Sequence, residues 1–204
     1  MKKILFLNCL SAILFLVSCN EKQKTEITKS TDKIVIQLQP FKDFNRDEVE
    51  NIAKQIGEIY PNIEVLEAID FPENSYYHPR NRYRADSIIK YLSSQTKDNF
   101  IKTGLTTKDI SATKGKVKDF GLMGLGYCPG KACVASDFRL NPAKRKEQFY
   151  KIVIHEIGHT QGLKHCLEKT CFMRDAEGKN HTDEEADFCN NCKKFLKKKH
   201  WKFN

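Results

Sequence analysis

Apolar positions recur with two different periods along this chain, and the changes of period mark out its elements. Residues 34–38 (IVIQL) are β-branched and bounded by polar residues, the signature of a strand. In residues 47–60, Val49, Ile52, Ala53, Ile56 and Ile59 recur at helical spacing, which predicts an amphipathic helix stopped by Pro61 and Asn62. Residues 63–69 (IEVLEAI) predict a second strand, and residues 83–92 a second helix with Ala85, Ile88, Ile89 and Leu92 on one face. A third strand is expected over residues 100–106, continuing towards Asp109 and Ile110. Residues 120–127 (FGLMGLGY) and residues 132–136 (ACVAS) predict a hairpin, with Pro129-Gly130 as a turn signal between Cys128 and Cys133. Asn141-Pro142 offers a cap and an early helical proline, so a long helix is expected from there to about Gly162. Strands alternating with helices, then an irregular cysteine-rich C-terminal part, describe a single α/β or α+β domain.

The first thirty-odd residues depart from that pattern. Lys2 and Lys3 precede an apolar run over residues 4–17, interrupted only by Asn8 and Ser11. A membrane-spanning helix needs roughly 20 apolar residues, so this run reads as the core of a signal peptide, residues 1–18. It ends in Leu16-Val17-Ser18-Cys19, which resembles the lipobox of bacterial lipoproteins, cut before a cysteine that then receives acyl chains. The plainer alternative is an ordinary secretory signal with a chance cysteine at its end. Residues 19–32 are polar beyond Cys19 and cannot bury a core, so they are expected to be a flexible spacer between lipid and domain. The domain itself would span residues 33–204, on the bacterial cell envelope and attached to a membrane through Cys19.

Charge adds little to this. The formal net charge is +9, or +7 once Lys2 and Lys3 leave with the leader, and much of the excess lies in residues 193–202 (KKFLKKKHWK). Such a tail can attract anionic membranes or nucleic acid, or can simply be a solvated basic face. Export argues against nucleic acid as a partner.

The chemistry is concentrated in residues 155–165 (HEIGHTQGLKH). Residues four apart share a helix face, so His155 and His159 can offer ring nitrogens to one ion. Glu156 falls beside that ion, where a base must sit to take a proton from water. Gly162 can adopt a left-handed conformation and end the helix, letting His165 return to the same point. Three imidazoles on zinc leave a fourth position for water, which marks a catalytic site and not a structural one. A bare H-E-x-x-H arises by chance in on the order of one chain in a hundred; the added glycine and histidine lower that to roughly one in a hundred thousand.

Cys166 and Cys171, then Cys189 and Cys192, form two close pairs with the spacing of a four-thiolate zinc site. Residues 155–162, His165-Cys166, Cys171-Phe172-Met173 and the C-x-x-C at 189–192 together resemble the extended signature of the archaemetzincins. That resemblance implies a metzincin-like fold with a twisted mixed sheet and two zinc ions. His155, His159 and His165 would hold the catalytic ion, and Cys166, Cys171, Cys189 and Cys192 the structural one. Met173 would be the methionine of the turn beneath the histidines. Only fifteen residues separate Met173 from Cys189, slightly fewer than in that pattern. Archaemetzincins are typically intracellular, whereas an exported chain could pair these four thiols as disulfides.

The other titratable groups are expected to play smaller parts. Cys128 and Cys133 flank a tight turn, and export makes a disulfide between them the expectation. His78, His181 and His200 read as surface histidines. Asp183, Glu184, Glu185 and Asp187 read as the acidic start of the last helix. The functional expectation is a monomeric zinc-dependent metallopeptidase with Glu156 as general base, its peptide substrate lying extended along a sheet edge near residues 132–136. The alternatives are a zinc-stabilised surface binding or adaptor lipoprotein with little turnover, and a hydrolase of some other amide.

Overall fold

The computed structural model describes residues 33–203, which belong to one compact unit. The leader over residues 1–18, the acylation site Cys19 and the spacer over residues 19–32 lie outside the described residues. No helix among the described residues is long and apolar enough to cross a membrane.

Two sheets organise the domain. The larger has the order β2 (Ile63–Val65), β1 (Val35–Pro40), β5 (Phe100–Thr106), β9 (Ala132–Ser136), β8 (Gly124–Gly126). Its first four strands are parallel, and β8 joins antiparallel at the edge. The smaller has the order β3 (Tyr76–Tyr77), β4 (Arg82–Arg84), β6 (Ile110–Lys114), β7 (Val117–Leu122). Helices α1 (Arg46–Ile59) and α3 (Arg145–Gln161) cover one face of the larger sheet, and α2 (Ala85–Ser94) covers the other. Alternation along β9 shows why both faces need cover: Cys133 and Ala135 join the core beneath α1 and α3, while Ala132 and Val134 join the core beneath α2. Asn45 caps α1, its Oδ1 accepting from the Glu48 amide at 3.2 Å.

Several elements differ from the sequence expectation, each for a tertiary reason. The strand expected over residues 63–69 ends at Val65, with only a bridge from Ile69 back to Phe41. Tyr83 belongs to β4, where its ring stacks on Phe71 with centroids 4.0 Å apart, so α2 starts at Ala85. The third strand stops at Thr106 because Asp43 accepts from the Thr107 amide and the Thr106 and Thr107 hydroxyls, turning Ile110 into the other sheet. Residues 117–126 divide at Met123: β7 pairs with β6, and only β8 forms the expected hairpin with β9. The long helix begins at Arg145, since Asn141 is used in a turn, its Oδ1 accepting from the Ala143 amide. The last helix, α4 (Asn190–Lys197), starts after the acidic residues, with Cys189 at its N-cap.

Two further corrections bear on function. Strand β9 is internal, flanked by β5 and β8, so the free edge near the helix is β8 and not residues 132–136. Cys128 and Cys133 are free thiols, not a disulfide. Cys133 points into the core beside Thr103, whereas exposed Cys128 donates to the Leu163 carbonyl at 3.2 Å. Each sulfur is held by a different neighbour, Thr103 for Cys133 within β9 and Leu163 for Cys128 in the loop after β8.

Candidate metal centre

From Gln148 onward helix α3 is buried or half-buried on every side, as expected of a helix packed between a sheet and a second layer of chain. Its C-terminal two turns carry His155, Glu156 and His159. Gly162, at φ 104°, ends it in the left-handed region, and its amide donates to the His159 carbonyl at 2.8 Å. The chain reverses there and brings His165 back. The three rings converge, with centroids 4.7, 4.8 and 5.4 Å apart, and one nitrogen from each lies within 4.8 Å of the others.

The opposite ring nitrogens show what this trio is built for. His155 Nδ1 lies 2.5 Å from the Phe172 carbonyl, and His159 Nδ1 lies 2.8 Å from the Leu163 carbonyl. A carbonyl oxygen only accepts, so each Nδ1 carries the proton and each Nε2 keeps its lone pair. His165 Nδ1 is 3.2 Å from the Asp175 carboxylate. Carbonyl or carboxylate partners behind ligand imidazoles are the usual support of a metal site. Burial, reinforced by neighbouring His159, pushes His155 down to about 3, and burial lowers His159 as well. Both shifts favour the neutral imidazole at these two positions, the form that zinc binds.

Glu156 is buried and pushed up to about 8 by that burial. Its carboxylate lies directly over edge strand β8. A Cβ on Gly124 would stand 2.4 Å from Glu156 Oε1, and one on Gly126 would stand 3.0 Å from the Glu156 carbonyl oxygen. Sequence reasoning passed over both glycines, although G-x-G at 124–126 was a visible signal of close backbone approach.

Met173 is fully buried beneath the helix. A Cβ on Gly158 would meet its Sδ at 2.5 Å, so the turn and helix touch through a glycine. The residue before it, Phe172, supplies the carbonyl that orients His155.

The four cysteine sulfurs form a second cluster, also within 4.8 Å of one another. The Cys166–Cys189 and Cys171–Cys192 separations are both 3.7 Å. A disulfide bond is about 2.05 Å, whereas a tetrahedral zinc with Zn–S near 2.3 Å has S···S edges of about 3.8 Å. The donor set thus fits zinc and not a pair of disulfides. Cys171 Sγ also accepts from the amides of Met173 and Cys189 at 3.4 and 3.3 Å. Burial, with the neighbouring thiols, pushes Cys171 up to about 11 and raises Cys192, so ionising these two calls for a nearby cation. The clusters are tied together: Cys166 follows His165, and its amide donates to the Met173 carbonyl at 2.7 Å.

A cavity of about 570 Å³ opens over the histidines. It is bounded by Ile152, His155 and Glu156 on α3, by β8, and by the segment from Arg174 to Glu185.

The description of peptidase family M54 matches residues 33–198. The chain belongs to that family. Among M54 relatives, the archaemetzincin of Archaeoglobus fulgidus is 34% identical over 162 residues, covering 77% of this chain and 95% of that protein. The archaemetzincin of Methanocaldococcus jannaschii is 31% identical over 170 residues, covering 79% and 90% respectively. The crystal structure of the A. fulgidus archaemetzincin, complexed with malonate, superimposes with a TM-score of 0.68 at 31% identity, over 79% of this chain and 99% of that one. The M54 chain is accordingly a zinc metallopeptidase with the mixed α/β architecture of the archaemetzincins.

Proposed function

We propose that this M54 peptidase hydrolyses peptide bonds with Glu156 as general base, His155, His159 and His165 holding a catalytic zinc, and Cys166, Cys171, Cys189 and Cys192 holding a second, structural zinc. The observation that carries the reading is the set of acceptors behind the three rings, which leaves three lone pairs facing one point beside a buried carboxylate. When bound, zinc supplies a Lewis acid and lowers the pKa of its water to about 7. Glu156, in its ionised form, would take a proton from the attacking water and pass it to the departing amine. Because burial holds Glu156 near 8, its charge state responds strongly to positive charge placed beside it. The free edge of β8 turns the amides and carbonyls of Gly124 and Gly126 outward to an extended substrate backbone, replacing the edge expected at residues 132–136.

The test compares a random peptide library treated with the wild type and with Glu156→Ala at equal zinc content. Cleavage by the wild type alone supports the assignment; equal behaviour of the two samples rejects it. Metal analysis of the same samples should find two zinc ions per chain.

The envelope reading belongs to the same proposal: a monomer acylated at Cys19 and carried on the spacer over residues 19–32. Its support is the lipobox, together with where the spacer enters the domain. Tyr60 donates its hydroxyl to the Ile34 carbonyl at 2.5 Å and packs its ring on Trp201 with centroids 5.0 Å apart. The chain therefore enters beside the lysine-rich C-terminal end, which would turn Lys194, Lys197 and Lys198 towards an anionic bilayer. Acyl labelling that is lost in Cys19→Ser is the expected result.

A further inference from the structure

Besides Glu156, one further buried residue in the cleft carries a carboxylate with no hydrogen bond or ion pair among the described residues. The cavity lining extends from the histidines along α3 to Ile152, one turn nearer the helix start, and includes Thr182 and Glu185. Lys151 holds that wall in place. Its Nζ donates to the Thr182 carbonyl at 2.9 Å, the Glu185 carbonyl at 2.8 Å and the Glu147 carboxylate at 2.6 Å. All three ammonium protons are thereby used on other oxygens, and the Glu185 side chain receives none of them.

Glu185 is itself 7% exposed, lines the cavity, and its carboxylate accepts no hydrogen bond from the described residues. Several other charges around the cavity are paired, and Lys114, Glu177 and Lys179, which form no ion pair among the described residues, are exposed. Arg139 pairs with Asp109 at 2.7 Å, Arg174 with Glu184 at 2.7 Å, and Asp175 with His165 at 3.2 Å. Burial pushes Glu185 up to about 7, and an approaching cation would favour its ionised form. Its oxygens stay open to the cleft, and Lys151 and Arg174 act on it without direct contact, so a cation entering the cleft would make the ion pair it lacks.

We propose that Glu185 forms the floor of a side-chain subsite and selects peptides carrying lysine or arginine beside the bond to be cut. The cation would enter along Ile152, whose apolar side chain suits the methylene stem, and end on the carboxylate. This rests on the peptidase reading above and adds the class of substrate. Glu185 is a specificity residue here, remote from the proton transfer assigned to Glu156.

Two measurements separate the two ideas. In the first, the zinc-loaded wild type cleaves a peptide library, and the residues flanking each cut are read. In the second, zinc-loaded Glu156→Gln, which would hold peptide without turnover, is titrated with labelled peptides carrying lysine, norleucine or glutamate at one position. Lysine should bind about ten-fold or more tightly than norleucine. Adding Glu185→Gln should abolish that difference while leaving norleucine affinity and zinc content unchanged, and Glu185→Lys should move the preference to glutamate. Equal binding of lysine and norleucine, or a lysine preference that survives Glu185→Gln, overturns the proposal. A wild type that cuts nothing overturns the peptidase reading instead, and the titration still decides the role of Glu185.

Discussion

Gly124 and Glu156 meet across the cleft: a Cβ on the glycine would lie 2.4 Å from the glutamate Oε1. No side-chain carbon tolerates that separation, so Gly124→Ala must displace the carboxylate. The expected result is a fall in kcat of about 10–100-fold, since a 1 Å misplacement of a reacting group costs about that much. Zinc content should stay unchanged, as Glu156 is not assigned as a ligand. Steady-state kinetics with metal analysis checks both points.

The contact between Gly158 and Met173 predicts a different failure. Gly158→Ala would force the Met173 sulfur, now 2.5 Å from the added carbon, away from the helix. Overpacking of this kind costs about 1–3 kcal/mol and should lower the midpoint of thermal unfolding. Because Phe172 orients His155, zinc should also be released more readily to a chelator.

Asp175 stands behind His165 and should matter to the metal more than to the fold. Both side chains are about half exposed, so the pair contributes little to stability. Asp175→Ala is expected to weaken zinc at the histidine site about 10–100-fold, with unfolding nearly unchanged. Competition with a chromophoric chelator reads the first quantity and calorimetry the second.

Coupling between the two clusters is testable from the cysteine side. Cys192→Ser should empty the thiolate site and loosen Cys166, whose amide holds the Met173 carbonyl. Loss of activity together with both zinc ions is expected. Retention of full activity with one zinc per chain would show the clusters to be independent.

Glu185 also makes stability depend on pH. Its folded value, about 7, lies above the ordinary 4.5, so the folded state binds the extra proton between these values. The contribution is fully present below pH 4.5 and is lost as pH rises through 7. Glu185→Gln should remove that slope, a difference on the order of 1–3 kcal/mol between pH 4.5 and 8 in denaturant titrations.

The metal constellation was legible early because its logic is local. His155 and His159 share a face by helical periodicity alone, Gly162 ends the helix through its own backbone freedom, and His165 follows within three residues. The same holds for Val49, Ile52 and Ile56 in α1, which face the core as their spacing demands. Strand partners beyond the β8–β9 hairpin were not legible. Residues 120–127 look like one strand, yet Met123 divides them between two sheets, because pairing is decided by neighbours distant in sequence. The internal position of β9, and the separate fates of Cys128 and Cys133, depend on the same long-range pairing.

The sequence by itself thus determined which residues can bind metal and accept a proton: spacing of three or four residues is converted directly into geometry by a helix. Only the tertiary structure decided what stands behind and around them. The Phe172 and Asp175 oxygens that aim two of the rings, the glycine edge that admits Glu156, and the unpartnered carboxylate of Glu185 all come from segments 10 to 32 residues away. Burial and hydrogen-bond direction are properties of packed neighbours, and no local period encodes them.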